Sequence, residues 1–468
     1  MRPIWLFLLS LLFVVAARGE TKSVRDFGAS GDGVSDDTAS IQKAVASGAA
    51  VFPKGIYRLT RPVEINLDQN GFASLEGDGT ARIVMAGAGP AFHFIGTHAS
   101  SADPWNVRPE VWERQRMPVI RGIEIVGENP EADGIEASGT MQLTIAEMLI
   151  RHTRHAIRLT QRDRNVMIAD CHLYDNHGCG VFFDHVNLHQ TNIVGCHISY
   201  NAGGGVVSRG GELRNLQIGT CDIESNMTPD APPTANILID STDGSTAEVA
   251  VTGCTLQHNS KSPGSANLRF LGRGVISSEN HDPTQEGHLV VTGNVFSDVM
   301  VNVDLHFARG VSIMGNSFWE GFEHNIVVED SSSVVIGPND FDRNPRYVVN
   351  HTNGKERNGI VLRRCADTKL EGFVLKEAWH DPAALLLEEC TRCTVQDCSI
   401  LDCDGVGLVL KNCAKSRVSG CVIRDDRAET GAQGSLLMDG GADNWISGNW
   451  LANGAKGLSA EEMQGNRR

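Results

Sequence analysis

The sequence predicts an all-β protein, a single-stranded right-handed parallel β-helix with an N-terminal capping helix. The main observation is a short repeat in which an aliphatic residue is followed three positions later, usually by Cys or Asn. Its starts are mostly 22 to 25 residues apart, with longer intervals in a few repeats: Ile145, Ile168, Ile193, Ile218, Val251, Val291, Ile313, Ile336, Leu370, Val395, Val418 and Ile446. A repeat this short buries its apolar face only by stacking on its neighbours, so the chain is a solenoid.

The second observation is the kind of element inside each repeat. Short apolar runs, such as 166–168 and 181–183, are separated by Asn, Gly and Asp, which is typical of strands joined by turns. Leucine-rich repeats need a second fixed framework of leucines, and ankyrin or tetratricopeptide arrays need helices. A parallel β-helix with coils about 4.8 Å apart fits better, and its right hand follows the usual crossover rule.

The third observation is that polar and cysteine positions also recur in files. The chain has 12 cysteines, and the largest files are Cys171, Cys196, Cys221 and Cys254, then Cys365, Cys390 and Cys413. We interpret them as small buried residues in ladders rather than zinc ligands, while disulfides between adjacent coils stay open. A second ladder is expected at Asn176, Asn201, Asn226, Asn259 and Asn344, because stacked amides can donate and accept along a file.

The remaining segments define the ends. Residues 1–19 are predicted to be a signal peptide, and no later segment is apolar enough for membrane insertion, so a secreted or periplasmic protein is expected. Residues 20–95 are expected to form the cap and first coils, with Ser35 or Asp36 as helix N-cap and Ile41, Ala44 and Val45 on the buried face. An inserted loop occupies 96–118, the β-helix repeats occupy 119–451, and 452–468 form a polar C-terminal tail.

The region from about residue 24 to 85 carries a family resemblance. The segments VRDFGASGDGVSDDTASIQKAV, VFPKGIYRL and SLEGDGTARIVM resemble the N-terminal region of the pectate lyase superfamily, which includes rhamnogalacturonase- and epimerase-like proteins. The resemblance implies a pectin lyase-like solenoid and carbohydrate chemistry. The Asn-Thr-Asp and Gly-His-Gly motifs of polygalacturonases are absent at the expected coils, so no catalytic residue is transferred by motif.

The charge of the chain narrows the choice of partner. Its formal net charge is −16, which disfavours nucleic acid because nucleic acid usually recruits a basic surface. An acidic wall also repels a polyuronate unless Arg, Lys or bound Ca²⁺ reverses the local charge. The charge therefore predicts no nucleic-acid partner, while the polysaccharide partner is what the family resemblance implies. The sequence carries no signal for an oligomeric state.

One row of residues is expected to lie on a single face. Each member stands four positions after the Cys or Asn position of the repeat. The row consists of His152, Asp175, Tyr200, Ser225, His258, Asp298, Glu320, Arg343, Glu377, Asp402 and Asp425. Extra residues recur after this row at 227–234, 260–265, 345–358 and 427–433, so the insertions would wall a groove. The inserted loop at 96–118 adds Trp105 and Trp112, which either stack on sugar rings or pin the loop to the body.

The preferred site is an N-terminal cluster in this row. Its candidate catalytic residues are His152, Arg154, Asp175, His177 and Tyr200, and its candidate substrate-binding residues are Arg151, Tyr174, Trp105 and Trp112. Arginines could hold a uronate carboxylate while His, Asp or Tyr transfers a proton near neutral pH. The alternative is a hydrated turn whose histidines have no role.

A second cluster lies towards the C-terminus and is rich in carboxylates: Glu320, Arg343, Glu377, Asp402, Asp404, Asp425 and Asp426. Carboxylates that face each other on adjacent coils must share a proton or hold a cation, so Asp402 and Asp425 are candidate ligands for Ca²⁺. Such a pair would also suit a retaining glycosidase. The alternative is that solvated side chains splay apart at the turn.

These observations predict a secreted enzyme that cleaves a polysaccharide, either a lyase or a glycoside hydrolase, with a uronic-acid-containing glycan as one candidate substrate. Ca²⁺ is the one candidate cofactor. The alternative function is a non-catalytic β-helix that binds glycan or serves as a cell-envelope scaffold.

Overall fold

The computed structural model describes residues 22–99, 104–230, 234–275, 284–343, 355–428 and 431–467. Their strands form one continuous 40-stranded sheet in which all neighbours pair in parallel. The sheet winds into three walls, and each coil contributes one strand segment to each wall before rising to the next coil. The predicted parallel β-helix is therefore confirmed.

The three walls, in the order in which each coil crosses them, are called walls A, B and C. Wall A contains Val63–Asn66, Gly89–Ile95, Ala132–Ser138, the first parts of Ile157–Ala169, Cys179–Val194, Gly204–Gly219 and Ala235–Thr252, then Ala266–Leu271, Val299–His306, Gly321–Glu329, Gly359–Arg363, Ala383–Glu388, Gly405–Lys411, Ala432–Asp439 and Ala455–Lys456. Wall B contains Ala49–Phe52, the first parts of Ser74–Met85 and Val119–Gly127, Thr144–Ala146, the second parts of the four long wall A strands, then Glu286–Thr292, Ala308–Met314, Ser332–Ile336, Lys369–Glu371, Thr394–Gln396, Arg417–Ser419 and Trp445–Ser447. Wall C contains Asp32–Asp36, Gly55–Leu59, the second parts of Ser74–Met85 and Val119–Gly127, then Leu149–Arg151, His172–Tyr174, His197–Ser199, Asp222–Glu224, Thr255–Gln257, Val295–Phe296, Ser317–Phe318, Asp340–Phe341, Val374–Lys376, Ser399–Leu401, Val422–Arg424 and Trp450–Leu451.

The N-terminal end is closed by a helix at Thr38–Val45, which buries Ile41, Ala44 and Val45 as predicted. Its N-cap is Asp37 rather than Ser35 or Asp36. The Asp37 carboxylate makes no capping bond to the helix, because it accepts the backbone N–H groups of the preceding loop instead. The side chain of Asp36 still accepts the first helical N–H, from Thr38, at 3.0 Å. Short helical segments also occur at Val24–Phe27, Leu67–Asn70, Pro104–Asn106, Val111–Gln115 and Ala460–Gln464.

The interior is filled by stacked apolar side chains. The rings of Phe296, Phe318 and Phe341 stack with centroids 4.7 Å apart, which matches the expected coil spacing. All 12 cysteines are buried and free, so the cysteine files are small core residues and form no disulfides. Among the described residues, every helix is too short or too polar to traverse a lipid bilayer.

The amide ladder follows a different path from the predicted one. It begins with Asn176, Asn201 and Asn226 and then continues through Asn236, Asn267, Asn302 and Asn325, with side-chain hydrogen bonds of 2.7 to 2.9 Å. Asn259 was predicted in this file but bonds within its own turn, and Asn344 lies outside the described residues.

The switch has a steric cause. A Cβ at Gly205 would lie 2.8 Å from the Asn226 amide nitrogen, so glycine in wall A leaves room for an amide from the turn. In the next coil Asn236 takes the wall A position itself and supplies the amide. The replacement of glycine by asparagine at this wall A position therefore moves the ladder from the turn into the strand.

The C-terminal segment covers the last coil. The amide of Asn466 extends a file that begins at Asn449, and Arg467 stacks on Trp450 at 4.9 Å. Ala455–Lys456 adds a last strand to wall A. The segment predicted as a polar tail thus contacts the end of the solenoid as far as residue 467.

Candidate active site at the C–A corner

The turn that joins wall C to wall A, here called the C–A corner, presents the predicted row. Nine of its eleven residues share the left-handed backbone conformation, with φ between 50° and 59°: His152, Asp175, Tyr200, Ser225, His258, Asp298, Glu320, Glu377 and Asp402. Arg343 and Asp425 do not share it. A left-handed residue costs strain when it is not glycine. Seven of the nine offset that cost with a hydrogen bond from their backbone N–H to the next coil, as from Asp298 N–H to the Glu320 carbonyl at 3.1 Å.

The middle of the corner brings three ionisable side chains from successive coils into contact. His258 Nδ1 lies 3.1 Å from Asp298 Oδ2, and the Asp298 carboxylate in turn contacts the side chain of Glu320. On the other side, His258 Nε2 lies 3.9 Å from Glu224 Oε2. The His258 side chain is 46% exposed and that of Asp298 is 18% exposed, whereas Glu320 is buried. The three groups thus run from solvent to interior.

A buried ion pair lies behind this trio. Arg343 and Glu356 are both almost fully buried and bond to each other through the guanidinium and the carboxylate. The guanidinium also lies 4.0 Å from the ring centroid of Trp379 and donates to the backbone carbonyl of Glu377 at 3.2 Å. Each buried charge depends on its partner, and both charges lie close enough to Glu320 to act on it electrostatically.

The environment drives the pKa values of the two carboxyls apart. Burial, and then the contact with the Asp298 carboxylate, raise the pKa of Glu320 to about 9. Burial also opposes ionisation of Asp298, but the hydrogen bonds from His258 and Glu320 outweigh it and lower the pKa of Asp298. The hydrogen bond to Asp298 raises the pKa of His258 against the effect of burial. At neutral pH Glu320 therefore holds a proton while Asp298 is ionised.

This arrangement is suited to general acid–base chemistry. Two titratable groups whose environments push their pKa values apart are the signature of a paired acid and base. Asp298 is a reachable proton acceptor, His258 is a reachable proton donor when charged, and protonated Glu320 holds Asp298 in place. Glu320 Oε1 is buried and has no hydrogen-bond partner among the described residues.

The part of wall A beside this corner is charged but largely neutralised. Asp304 accepts from Arg269 Nε at 2.7 Å and contacts His306 Nε2 at 2.8 Å. Further on, Asp381 is buried, and burial raises its pKa to about 6; His324 Nδ1 lies 3.8 Å from its Oδ2. The surface of the solenoid next to the corner therefore carries polar groups that could bond sugar hydroxyls.

The preferred N-terminal cluster is only partly assembled. His152 Nδ1 lies 3.3 Å from Asp175 Oδ2, and Arg151 bridges His152 Nε2 at 2.9 Å and Glu124 at 3.0 Å. Arg154 instead makes a bidentate ion pair with the buried Asp133 and a further one with Glu131. Both arginines are thus already engaged by carboxylates of the protein, which leaves them poorly placed to hold a substrate carboxylate.

The other members of that cluster are spread along the surface. His177 is exposed, Tyr174 is half-buried in wall C, and Tyr200 is 57% exposed at the corner. The two tryptophans of the inserted loop differ from each other. Trp112 packs on the small apolar cluster that includes Val111, as expected of a residue that pins a loop, whereas Trp105 is 90% exposed.

The carboxylates predicted to bind Ca²⁺ have other contacts. Asp425 accepts two hydrogen bonds from the Arg427 guanidinium, and Asp402 Oδ1 accepts the backbone N–H of Asp426. Across the described ranges, no group of three or more His, Cys, Asp or Glu side chains is arranged to hold a metal ion. The side chains around Asp402 and Asp425 do not fit Ca²⁺ in this arrangement, and a Ca²⁺ requirement of the protein stays a prediction.

The sequence contained the central trio but gave no reason to choose it. His258, Asp298 and Glu320 are consecutive members of the predicted row, although 40 residues separate the first two. The signal that could have found them is this adjacency in the row, together with the expectation that facing carboxylates share a proton. Asp298 and Glu320 are such a facing pair, whereas the carboxylates of Asp402 and Asp425 have the other contacts described above.

Comparisons with known proteins agree with the fold. Residues 21–122 match the family model "Rhamnogalacturonase A/epimerase, pectate lyase-like", residues 112–260 match "Right handed beta helix region", and residues 343–467 match "Periplasmic copper-binding protein (NosD)". A probable glucan endo-1,3-beta-glucosidase of Arthroderma benhamiae is 31% identical over 117 residues, which are 22% of this chain and 12% of that protein.

Among solved structures, bacteriophage CBA120 tailspike protein 3 aligns with 93% of this chain and 62% of its own, with a TM-score of 0.50 and 15% identity. The A-module of an Azotobacter vinelandii mannuronan C-5 epimerase aligns with 93% of this chain and all of its own, with a TM-score of 0.43 and 14% identity. The chain spans less than two thirds of both the tailspike and the curated glucosidase. The matches and the parallel sheet together show that this chain is a right-handed parallel β-helix protein with a pectate lyase-like N-terminal region.

Proposed function

We propose that this protein is a carbohydrate-active enzyme that hydrolyses a polysaccharide at the C–A corner. The observation that carries the proposal is the contact between Asp298 and Glu320, whose pKa values are shifted in opposite directions beside a half-exposed histidine. The likeness to the pectate lyase-like family and the short match to a glucosidase support the choice of a glycan.

The proposed reaction uses the trio as acid and base. Asp298 accepts a proton from a water molecule as the water oxygen attacks the anomeric carbon of the glycan. The bond from that carbon to the glycosidic oxygen breaks, and the imidazolium of His258 gives the proton on its Nε2 to the leaving oxygen, because its Nδ1–H is bonded to Asp298. Glu320 stays protonated, keeps a second negative charge away from Asp298 and holds it in position. The carboxylate of Glu224 favours the charged form of His258.

The electrostatics of the corner favour a neutral glycan. The charges that act on His258 come from three carboxylates, Asp298, Glu224 and Asp222, and the whole chain has a net charge of −16. A uronate carboxylate would be repelled here, and the nearby Arg343 is engaged by Glu356. Hydrolysis needs no substrate carboxylate, whereas elimination by a lyase does, so the corner is better suited to hydrolysis.

We further propose that the protein works in the periplasm or outside the cell. The predicted signal peptide at 1–19 lies outside the described residues, and the match to a periplasmic family at 343–467 is compatible with export. An extended polysaccharide would run along the corner, beside the side chains of wall A.

The test is an activity screen of the mature protein. It should include neutral α- and β-glucans alongside pectate, rhamnogalacturonan, alginate and glycosaminoglycans, each with Ca²⁺ or with chelator. New reducing ends and ultraviolet absorbance should be followed together. We expect reducing ends from a neutral glycan, no absorbance change, and no effect of chelator.

The other outcomes are informative. An absorbance rise on a uronate polymer would identify a lyase and overturn the hydrolytic proposal. Binding of a glycan without turnover, from a protein shown to be folded, would support the non-catalytic alternative. In that case Asp298→Asn should leave the affinity unchanged.

A further inference from the structure

A second polar site lies at another corner of the solenoid, where wall A turns into wall B near the inserted loop. A cavity of about 460 Å³ is lined there by Thr97, His98, Arg108, Gln161 and Arg162, among others. The trio at the C–A corner does not line this cavity. The cavity lies where the wall A strands end, whereas the C–A corner lies where they begin. It is therefore a separate feature of the molecule.

The two arginines of this cavity, Arg108 and Arg162, bond to neutral acceptors, unlike the arginines of the N-terminal cluster at the C–A corner. Arg108 donates to the backbone carbonyl of Thr97 at 2.7 Å, and Arg162 donates to the side-chain oxygen of Asn187 at 2.7 Å. Both acceptors are neutral. Arg154, by contrast, bonds two carboxylates. The carboxylate of Glu212 also acts on Arg162, but its hydrogen bond goes to Asn187, so the arginines of the cavity lack the direct ion pairs that Arg154 makes at the C–A corner.

Further cations lie in register beside these two. Arg164, His189 and Arg214 occupy the same position in three successive strands, so their side chains form one file. Arg214 donates to the backbone carbonyl and the hydroxyl of Ser245, which are also neutral acceptors. In a chain with a net charge of −16, such a concentration of basic groups is unusual for a surface that has only a structural role.

The lining also contains a buried polar group that lacks a partner. His98 is 3% exposed, and its Nδ1 has no hydrogen-bond partner among the described residues. Burial, followed by the charges of Arg162 and Arg164, lowers the pKa of His98 to about 4, so the ring is neutral at physiological pH. Buried polar atoms in proteins are nearly always hydrogen-bonded, so the unpartnered Nδ1 of a residue that lines the cavity is available to a ligand.

We propose that this cavity binds a tetrahedral oxyanion, a sulfate or phosphate group, through Arg108, Arg162 and His98. Guanidinium groups held by neutral acceptors can turn N–H donors towards such an anion, and charge-assisted hydrogen bonds of this kind are the strong ones. The ring of His98 can add one donor. The group would be either a free ion or a substituent of a glycan, and the proposal does not depend on the reaction at the C–A corner.

Calorimetric titration of the mature protein with sodium sulfate and sodium phosphate, at low ionic strength and constant sodium, tests the proposal. We expect saturable binding of one ion, weakened at least tenfold in Arg162→Gln and in Arg108→Gln. The matched control is Arg392→Gln, which removes an exposed arginine paired with Asp367 on a distant coil and should leave the affinity unchanged.

Unsaturable heats from the folded wild type, or equal affinities in all three variants, would overturn the proposal. Should Arg162→Gln fail to fold, Arg108→Gln still decides, because Arg108 lies in the exposed inserted loop. A second arm compares a sulfated oligosaccharide with its desulfated form. Tighter binding of the sulfated form, abolished by Arg108→Gln, assigns the group to a glycan. Binding of the inorganic ion alone assigns it to a free anion.

Discussion

The C–A corner contains the same pair twice, a histidine on one coil and an aspartate on the next. In the N-terminal pair His152 lies 3.3 Å from Asp175, and in the middle pair His258 lies 3.1 Å from Asp298. The Asp175 side chain is 59% exposed and that of Asp298 is 18% exposed, and only Asp298 has a buried carboxyl against it. The chemistry of a repeated surface position is thus decided by what lies beneath it.

The comparison is tested most strongly by the matched variants Asp298→Asn and Asp175→Asn. Removing a general base commonly lowers a rate by about 10² to 10⁴-fold, so we expect Asp298→Asn to reduce kcat on the responsive glycan by about that factor. Asp175→Asn should keep kcat within about twofold of the wild type. The measurement is the release of reducing ends at saturating substrate, with circular dichroism to confirm folding. A larger loss from Asp175→Asn would place the active centre in the N-terminal cluster.

The second prediction concerns the buried ion pair of Arg343 and Glu356, which lies near the middle His–Asp pair and not near the N-terminal one. Arg343→Met removes the guanidinium and leaves the carboxylate of Glu356 buried without its partner, which typically costs about 3 to 5 kcal/mol of unfolding free energy. We expect a clear fall in the denaturation midpoint by urea titration. Arg392→Met, at an exposed ion pair, should not change the midpoint measurably. Equal midpoints in the two variants would contradict the supporting role of the buried pair.

Much of this frame could be predicted from the sequence. The repeat predicted the solenoid, and the cysteine files predicted buried core residues. The row four positions after the Cys or Asn of each repeat predicted the C–A corner. These predictions were possible because stacked coils place equivalent residues at the same point of each coil. The position of the amide ladder beyond Asn226 could not be predicted, since it depends on whether glycine or asparagine stands in wall A.

The site was harder to predict for a related reason. The 40-residue interval between His258 and Asp298 obscures the adjacency of their coils. The sequence also does not show that Glu320 is buried, or that the buried Arg343–Glu356 pair acts on it electrostatically. The N-terminal cluster looked richer because its residues are close in sequence. Its two arginines are satisfied by Asp133 and Glu124, which lie on neighbouring coils.

The third prediction uses the raised pKa of Glu320. The folded-state pKa of about 9 lies above the ordinary glutamate value of 4.5, so between these values the folded protein binds more protons than the unfolded chain. This group therefore lowers stability as pH rises from about 4.5 towards 9, by at most about 1.4 kcal/mol per pH unit. Glu320→Gln, a neutral isostere, should flatten that part of the pH dependence.

The measurement for this prediction is the urea midpoint of both proteins at several pH values from 5 to 9. We expect the variant to gain stability relative to the wild type as pH rises. Parallel curves would show that Glu320 ionises normally, and the contrast between the two His–Asp pairs would then lose its physical basis. Asp175→Asn provides a control, because that carboxylate has no buried carboxyl against it.

The smallest expected effect concerns substrate contact along the corner. Tyr200 is 57% exposed and lies two coils before His258, which corresponds to about 9.6 Å at the usual coil spacing. An exposed aromatic ring in line with the reacting groups is well placed to stack on a sugar unit of a chain that runs along the corner. We expect Tyr200→Ala to raise KM by about 2- to 10-fold with kcat nearly unchanged, because stacking on a remote unit contributes to ground-state and transition-state binding alike. Trp105→Ala, at a more exposed ring on the inserted loop away from the corner, should leave both constants unchanged. A selective effect of Trp105→Ala would instead place the bound glycan across the inserted loop, and the polysaccharide would then not follow the corner at which the two His–Asp pairs are compared.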